Sequence, residues 1–289
     1  MGAPPPEVDP LVVLSELGVP APERAIAVTG GWDTLLWRVD AFEGAQFALR
    51  VFRPEQAATC RREVLVMRAL AERGLAVPSV AAHRTSGGRP ALLMSWCTGQ
   101  PVLQKLSAKP WRVWALGTAM GRIHARIHRV SVHGELIQAL PTIEFGDGQR
   151  SILHMDFHPL NVMTDGRGIT GVLDWANVAV GDPRVDLART VTILRLAPTP
   201  PGSPTPLLRA VRAILELAWR TGYRGEHRSD PFHGMDPFYA WAGEWMERDL
   251  APKLGKPGVW LQPSDLAKIS RWARARRERT TPLPPPGGY

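Results

Sequence analysis

Residues 154–186 read HMDFHPLNVMTDGRGITGVLDWANVAVGDPRVD, and the reading of the whole chain starts there. Pro159 keeps the segment from Asp156 to Asn161 out of a helix. Beyond Asn161 come Val162 and Met163, then a turn at Asp165-Gly166 and Gly168. The chain returns through Val172 and Leu173 to Asp174. A hairpin of this length brings Asp174 back beside Asn161. One carboxylate and one amide oxygen then converge, with the carboxylate of Asp156 close by. Hard oxygens in an incomplete set suit Mg2+ when substrate phosphates complete its octahedron. The remaining carboxylate is placed to take a proton from a hydroxyl nucleophile.

The organisation around this stretch follows from periodicity. Upstream, Ala25–Thr29, Thr34–Val39 and Gln46–Phe52 read as strands, with turns at Gly30-Gly31 and Glu43-Gly44. Gln56–Arg73 reads as a helix ended by Gly74, and Ala91–Cys97 as a further strand. The break at Thr98-Gly99-Gln100-Pro101 marks a boundary between a β-rich part, 1–97, and a larger helical part, 98–289. Residues 1–10 and 280–289 are Pro/Gly-rich ends expected to be mobile. Trp111–His128, Asp186–Arg195, Leu207–Arg220, Asp236–Leu250 and Ser264–Glu278 carry helical spacing, and Pro198–Pro206 is a connector. Ser151–His154 and Gly171–Leu173 are short and apolar and are expected to pair as a small hairpin.

H-x-D-x-x-x-x-N followed by an apolar strand and Asp resembles the catalytic and metal loops of the protein-kinase-like fold. The fuller wording, HMDFHPLN, then LDW, then GDPRVDLA, is similar to the aminoglycoside phosphotransferase / choline kinase-like family. That family writes the loop as HGDLHPGN. Here Met155 and Leu160 stand where it has glycines. The resemblance implies an α+β, two-lobed, protein-kinase-like fold, with a small N-terminal β-sheet lobe and a larger, mainly helical C-terminal lobe. It implies Asp156 as catalytic base and Asn161 and Asp174 as Mg2+ ligands. ATP, or another nucleoside triphosphate, would lie between the lobes, its phosphates under Gly30 and Gly31. The fold needs a cation on its third strand. FALRVF offers Arg50 there, and period two puts Ala48 and Arg50 on one face, with Phe47, Leu49 and Val51 on the other. Of 35 basic residues only five are Lys, the first being Lys105, so a phosphate-facing cation before that position must be Arg. Arg holds phosphate oxygens by two parallel N–H bonds. Glu63 resembles the helix glutamate that pairs with this cation. Ser95-Trp96-Cys97 resembles the linker whose backbone holds a purine edge.

The acceptor is then a hydroxyl of a small molecule: a sugar, amino alcohol, aminoglycoside or other natural product. Residues 224–249 carry six acids (Glu226, Asp230, Asp236, Glu244, Glu247, Asp249) and form a candidate acceptor wall. Phe238, Trp241 and Trp245 fall there at helical spacing, which points to core. His124 and His128 read as helix-face residues, and His154 and His158 as supports of the loop. Asp182 and Asp186 read as caps or braces of the segment that follows.

Other classes find less support. The chain has 289 residues and a net charge of +8, but half of that charge lies in residues 265–289, which fits a solvated helix face better than a nucleic-acid site. No nucleic-acid partner is expected. No P-loop or Gly-x-Ser-x-Gly elbow occurs. With two cysteines, no apolar run long enough to span a bilayer and no signal-peptide pattern, a reducing cytoplasm is the expected location, with no membrane partner. The alternative, a nucleotide-binding pseudokinase acting as a binding module, predicts a broken Asp/Asn/Asp set; here the set is intact. The oligomeric state is not legible in the sequence.

Overall fold

The computed structural model describes residues 8–19, 22–28, 34–147, 149–199, 205–256 and 259–280. The first element is α1 (Pro10–Glu16). The side chain of its N-cap, Asp9, accepts a hydrogen bond from the Leu11 N–H, and Pro10 occupies the first turn, where no donor is needed. Strands β1 (Arg24–Ala27), β2 (Leu35–Asp40) and β3 (Gln46–Val51) follow, then α2 (Ala57–Ala71), β4 (Val80–Ser86) and β5 (Arg89–Ser95). The strands form one antiparallel sheet in the order β1-β2-β3-β5-β4.

Period two sorts β3 between two cores. Leu49 and Val51 pack with Trp37, Val39 and Leu93 against Val13 and Leu14 of α1. Ala48 joins the larger core with Val64, Met67 and Leu70 of α2. Gly74, with φ +68°, follows the end of α2. Two elements depart from expectation. Helix α1 and strand β4 were not anticipated, and residues 1–7 of the stretch expected to be mobile lie outside the described residues. Most β4 side chains are exposed or half-buried, so this edge strand lacks the alternation that marks a strand in sequence.

The C-terminal part runs β6 (Gln100–Pro101), α3 (Val102–Ala108), α4 (Val113–His128), α5 (Glu135–Ala139), β7 (Thr142–Ile143), β8 (Ser151–Leu153), β9 (Val162–Thr164), β10 (Ile169–Val172) and β11 (Ala179–Gly181). Helices α6 (Pro183–Leu196), α7 (Thr205–Arg224), α8 (Asp236–Leu250) and α9 (Pro263–Arg277) complete it. The hairpin around the Asp165 turn is β9–β10, with Val162 opposite Val172. The expected pairing of Ser151–His154 with Gly171–Leu173 is not formed. Strand β8 pairs instead with β11, Ile152 opposite Val180. All three residues of each strand are buried, so burial alone could not mark a partner.

Helices α4 and α7 approach through small residues. A Cβ on Gly121 would lie 2.0 Å from the Trp219 carbonyl oxygen, and one on Gly222 would lie 2.1 Å from that of Thr118. Among the described residues no helix is long and apolar enough to cross a membrane.

Candidate active site

The site is built from its support upward. Asp182 caps α6, accepting from the Arg184 N–H at 2.9 Å. Asp186, one turn further, is fully buried and accepts from the backbone N–H groups of His154 (2.6 Å) and Met155 (2.9 Å). Its Oδ2 also lies 3.1 Å from Nε2 of both His124 and His128. Those histidines are buried, not on an open helix face, and the Nδ1 of His128 meets the Tyr223 hydroxyl at 2.7 Å. Burial pushes the Asp186 carboxyl up, but the imidazoles outweigh it and hold the group well below the carboxylate range. Burial pushes His124 down to about 4. Asp186 is therefore the anionic post on which the loop before Asp156 hangs.

Met155, at the position of a family glycine, has φ +67°. That left-handed backbone costs a side-chain-bearing residue roughly 1–2 kcal/mol. It is held at both ends: the N–H by Asp186, and the carbonyl by the Nε of Arg189 at 3.3 Å. The Met155 side chain is buried, whereas Leu160 is 52% exposed.

His154 ties the loop to the strand that carries Asp174. Its Nδ1 accepts from the Asp156 N–H at 3.3 Å, and its Nε2 donates to the Leu173 carbonyl at 2.9 Å. Burial lowers its pKa, in keeping with this neutral ring. The Leu173 N–H in turn donates to the Asn161 carbonyl at 2.8 Å, which sets Asn161 beside the approach to Asp174. Asp174, with φ +62°, is exposed, and its carboxylate accepts no hydrogen bond among the described residues. The Nδ2 of Asn161 donates to the Asp156 carbonyl (3.0 Å) and to its Oδ2 (3.3 Å). His158 stands 3.5 Å from that same Oδ2. Burial raises the Asp156 pKa, but the hydrogen bond from His158 and the charge of nearby Arg189 prevail and lower it.

From the sheet side, Arg50 and Glu63 meet at 2.6 Å, with the Glu63 side chain 1% exposed. Burial raises Glu63 to about 7 against the pull of Arg50. Its Oε1 has no hydrogen-bond partner among the described residues. A cleft of about 400 Å3 gathers Ala48, Arg50, Glu63, Ser95, Trp96, Cys97, Asn161 and Asp174 in its lining. Leu36, Met67, Met94, Met163 and Leu173 make up much of the rest. The cleft thus combines an apolar slot with a polar group of Arg50, Asn161 and Asp174. Asp156 does not line it and touches it through Asn161. Gly30 and Gly31 lie outside the described residues. Arg189, which the sequence reading did not single out, carries no signal in its spacing, because α6 is buried along almost its whole length.

A second cavity, about 460 Å3, lies among α6, α7 and α9 and contains none of these residues. Its Arg195 and Arg220 both bind Glu216, and its Lys268 donates to the Arg195 carbonyl.

This fold has counterparts among known proteins. The model of the phosphotransferase enzyme family matches residues 24–135 and 131–232, and the chain belongs to that family. It is thereby an enzyme of the small-molecule kinase class, with an alcohol group as acceptor. No curated protein matches it by sequence. Among solved structures, the amicoumacin kinase hAmiN in complex with AMP-PNP, Ca2+ and Ami superposes with a TM-score of 0.66 at 14% identity, covering 96% of each chain. A thermostable mutant of aminoglycoside phosphotransferase APH(4)-Ia, with ADP and hygromycin B, gives 0.63 at 14% identity, over 92% of this chain and 96% of that one. The macrolide 2'-phosphotransferase MphH from Brachybacterium faecium gives 0.59 at 18% identity, over 96% and 98%. At these identities the likeness carries the two-part α+β kinase-like fold.

Proposed function

We propose that this chain transfers the γ-phosphoryl group of ATP, or of another nucleoside triphosphate, to a hydroxyl of a small molecule. In this reading residues 1–97 form the nucleotide-binding lobe and 98–289 the catalytic and acceptor-binding lobe. The observation that carries it is the make-up of one cleft. Its apolar slot, bordered by Ser95-Trp96-Cys97, suits a base, and Arg50, Asn161 and Asp174 suit a triphosphate. AMP-PNP with Ca2+ in one solved structure of similar fold, and ADP in another, support the same reading.

The residues fit Mg2+. With its Nδ2 engaged by Asp156, Asn161 offers Oδ1, and the exposed Asp174 carboxylate is a second hard oxygen donor. When bound, the ion would neutralise charge building on the phosphate oxygens. The chain's own residues do the rest. Arg50, oriented by Glu63, holds phosphate oxygens. Asp156 orients the acceptor hydroxyl and takes its proton as the new O–P bond forms and the bond to the nucleoside diphosphate breaks. A carboxylate of lowered pKa is ionised and ready at neutral pH. Positioning and fixed charge supply most of the rate gain.

The test is Mg2+-dependent nucleotide consumption against a panel of hydroxyl acceptors. Asp156→Ala keeps nucleotide binding and loses turnover by about 100- to 10,000-fold. Unchanged turnover in that variant refutes the role of Asp156, and nucleotide binding without transfer to any acceptor points to a binding module.

A further inference from the structure

The wall next to the catalytic loop is aromatic and cationic. Arg189 of α6 is 6% exposed, and its Nε holds the carbonyl of Met155, the residue before Asp156. Its guanidinium carbon lies 6.0 Å from the ring centroid of Trp245 on α8, and that of Arg248 lies 5.6 Å from the same ring. Trp245 meets Trp241 at 4.9 Å, and Trp241 stacks on Phe145 at 5.9 Å. Both tryptophans are half-buried, not sealed in the core. The Nη1 of Arg189 is buried without a hydrogen-bond partner among the described residues, and exposed Arg248 forms no salt bridge there.

The acids of this region are engaged elsewhere. Glu226 pairs with Arg126 and Arg129, Asp230 with Arg224, Asp236 with Arg276, and Glu244 with Arg277. Glu247 accepts from the Ser270 hydroxyl at 2.5 Å. Asp249 alone stands beside Arg189, with Oδ2 3.6 Å from its Nη2. Five of the six acids expected to form an acidic wall are therefore paired with arginines, and Glu247 with a serine hydroxyl. A polycation docking here would meet the exposed Arg248 guanidinium over an indole ring, with buried Arg189 behind it paired to Asp249. A carboxylate would find charge-assisted donors, and a flat ring would find a stacking face.

Resting on the phosphotransfer reading above, we propose that Trp245, flanked by Arg189 and Arg248, is the acceptor-binding wall, and that it selects a carboxylate-bearing hydroxyl compound with a flat apolar face over a polycation. The experiment is calorimetric titration of the full chain, saturated with Mg2+ and AMP-PNP, with three probes. Phenyl β-D-glucuronide carries the carboxylate, phenyl β-D-glucoside lacks it, and kanamycin is the polycation. The glucuronide binds at least about tenfold tighter than the glucoside, and kanamycin binds weakest. Arg248→Glu weakens the glucuronide about tenfold or more and strengthens kanamycin, opposite shifts that misfolding does not produce. Kanamycin as the tightest ligand, equal affinity for the two phenyl glycosides, or no binding of the glucuronide overturns the proposal. The phosphotransfer reading fails separately. If the affinity order holds but no hydroxyl compound elicits ADP formation from ATP, that reading falls and the wall stands. If kanamycin binds tightest and is phosphorylated, the wall falls and the reading stands.

Discussion

Asp186 accepts two backbone N–H groups and sits against two imidazoles with no solvent in reach. Removing the charge while keeping the shape leaves these buried donors short of their partner. Asp186→Asn is expected to cost about 1–3 kcal/mol, the range for leaving buried donors without their acceptor, as read by urea denaturation. Because the same carboxylate holds the strained Met155, the variant is also expected to lose turnover under conditions where it remains folded. Glu63 behaves differently. Burial raises its pKa to about 7, so its charge adds little to folding, and its partner Arg50 lines the cleft. Glu63→Gln is expected to leave stability within about 1 kcal/mol of the parent while turnover falls by about tenfold or more, since the isosteric amide relieves the buried charge but no longer fixes Arg50 as an anion does. A melting curve beside an activity assay separates the two effects.

At the scale of elements, the decisive contact is α4 against α7. Gly121 and Gly222 let backbone meet backbone, and the neighbours that an added Cβ would strike are carbonyl oxygens, which cannot rotate aside. Gly222→Ala is therefore expected to destabilise by about 3 kcal/mol, near the upper end of ordinary overpacking, by forcing the helices apart. The same contact also braces the loop of the proposed active site. Helix α4 supplies His124 and His128 to Asp186, and α7 supplies Tyr223 to His128. Spreading the pair should lower turnover along with the melting temperature. A variant with normal stability would refute the packing argument.

For the whole molecule, charge and pH matter together. The basic helix α9 lies on the acids of α8: Arg276 on Asp236, Arg277 on Glu244, and Ser270 on Glu247. Two of the six basic side chains in residues 265–289, Arg276 and Arg277, are thus paired within the fold. Acid stability follows from the buried histidine. Folded His124 stays neutral down to about pH 4, whereas in the unfolded chain it protonates near 6.5. Between those values the unfolded state takes up a proton that the folded state refuses, so stability falls as pH drops. The slope expected from His124 is about 1.4 kcal/mol per pH unit, measured by denaturant midpoints from pH 6.5 to 4 in the Glu63→Gln variant, because the raised pKa of Glu63 gives an opposing slope in the parent between about pH 7 and 4.5. Asp186, whose folded pKa is depressed, contributes stability above the ordinary carboxylate range that is lost on further acidification. A flat profile between pH 6.5 and 4 would show that the cluster takes up protons without unfolding.

Local chemistry was legible before any coordinates. The Asp156–Asn161 spacing, the turn that returns to Asp174, and the parity that sets Ala48 and Arg50 on one face of β3 follow from bond geometry within a few residues. Asn161, Asp174, Arg50 and Glu63 do line one cleft. Choices of distant partner were not legible. Nothing in Ser151–Leu153 names β11 over the 171–173 segment, and nothing in six acids at 224–249 says that Arg126, Arg129, Arg189, Arg276 and Arg277 will take five carboxylate pairings among them. Composition counts charges, but packing decides which of them meet. The acids that the count placed together at 224–249 are, once folded, mostly paired with arginines from other elements.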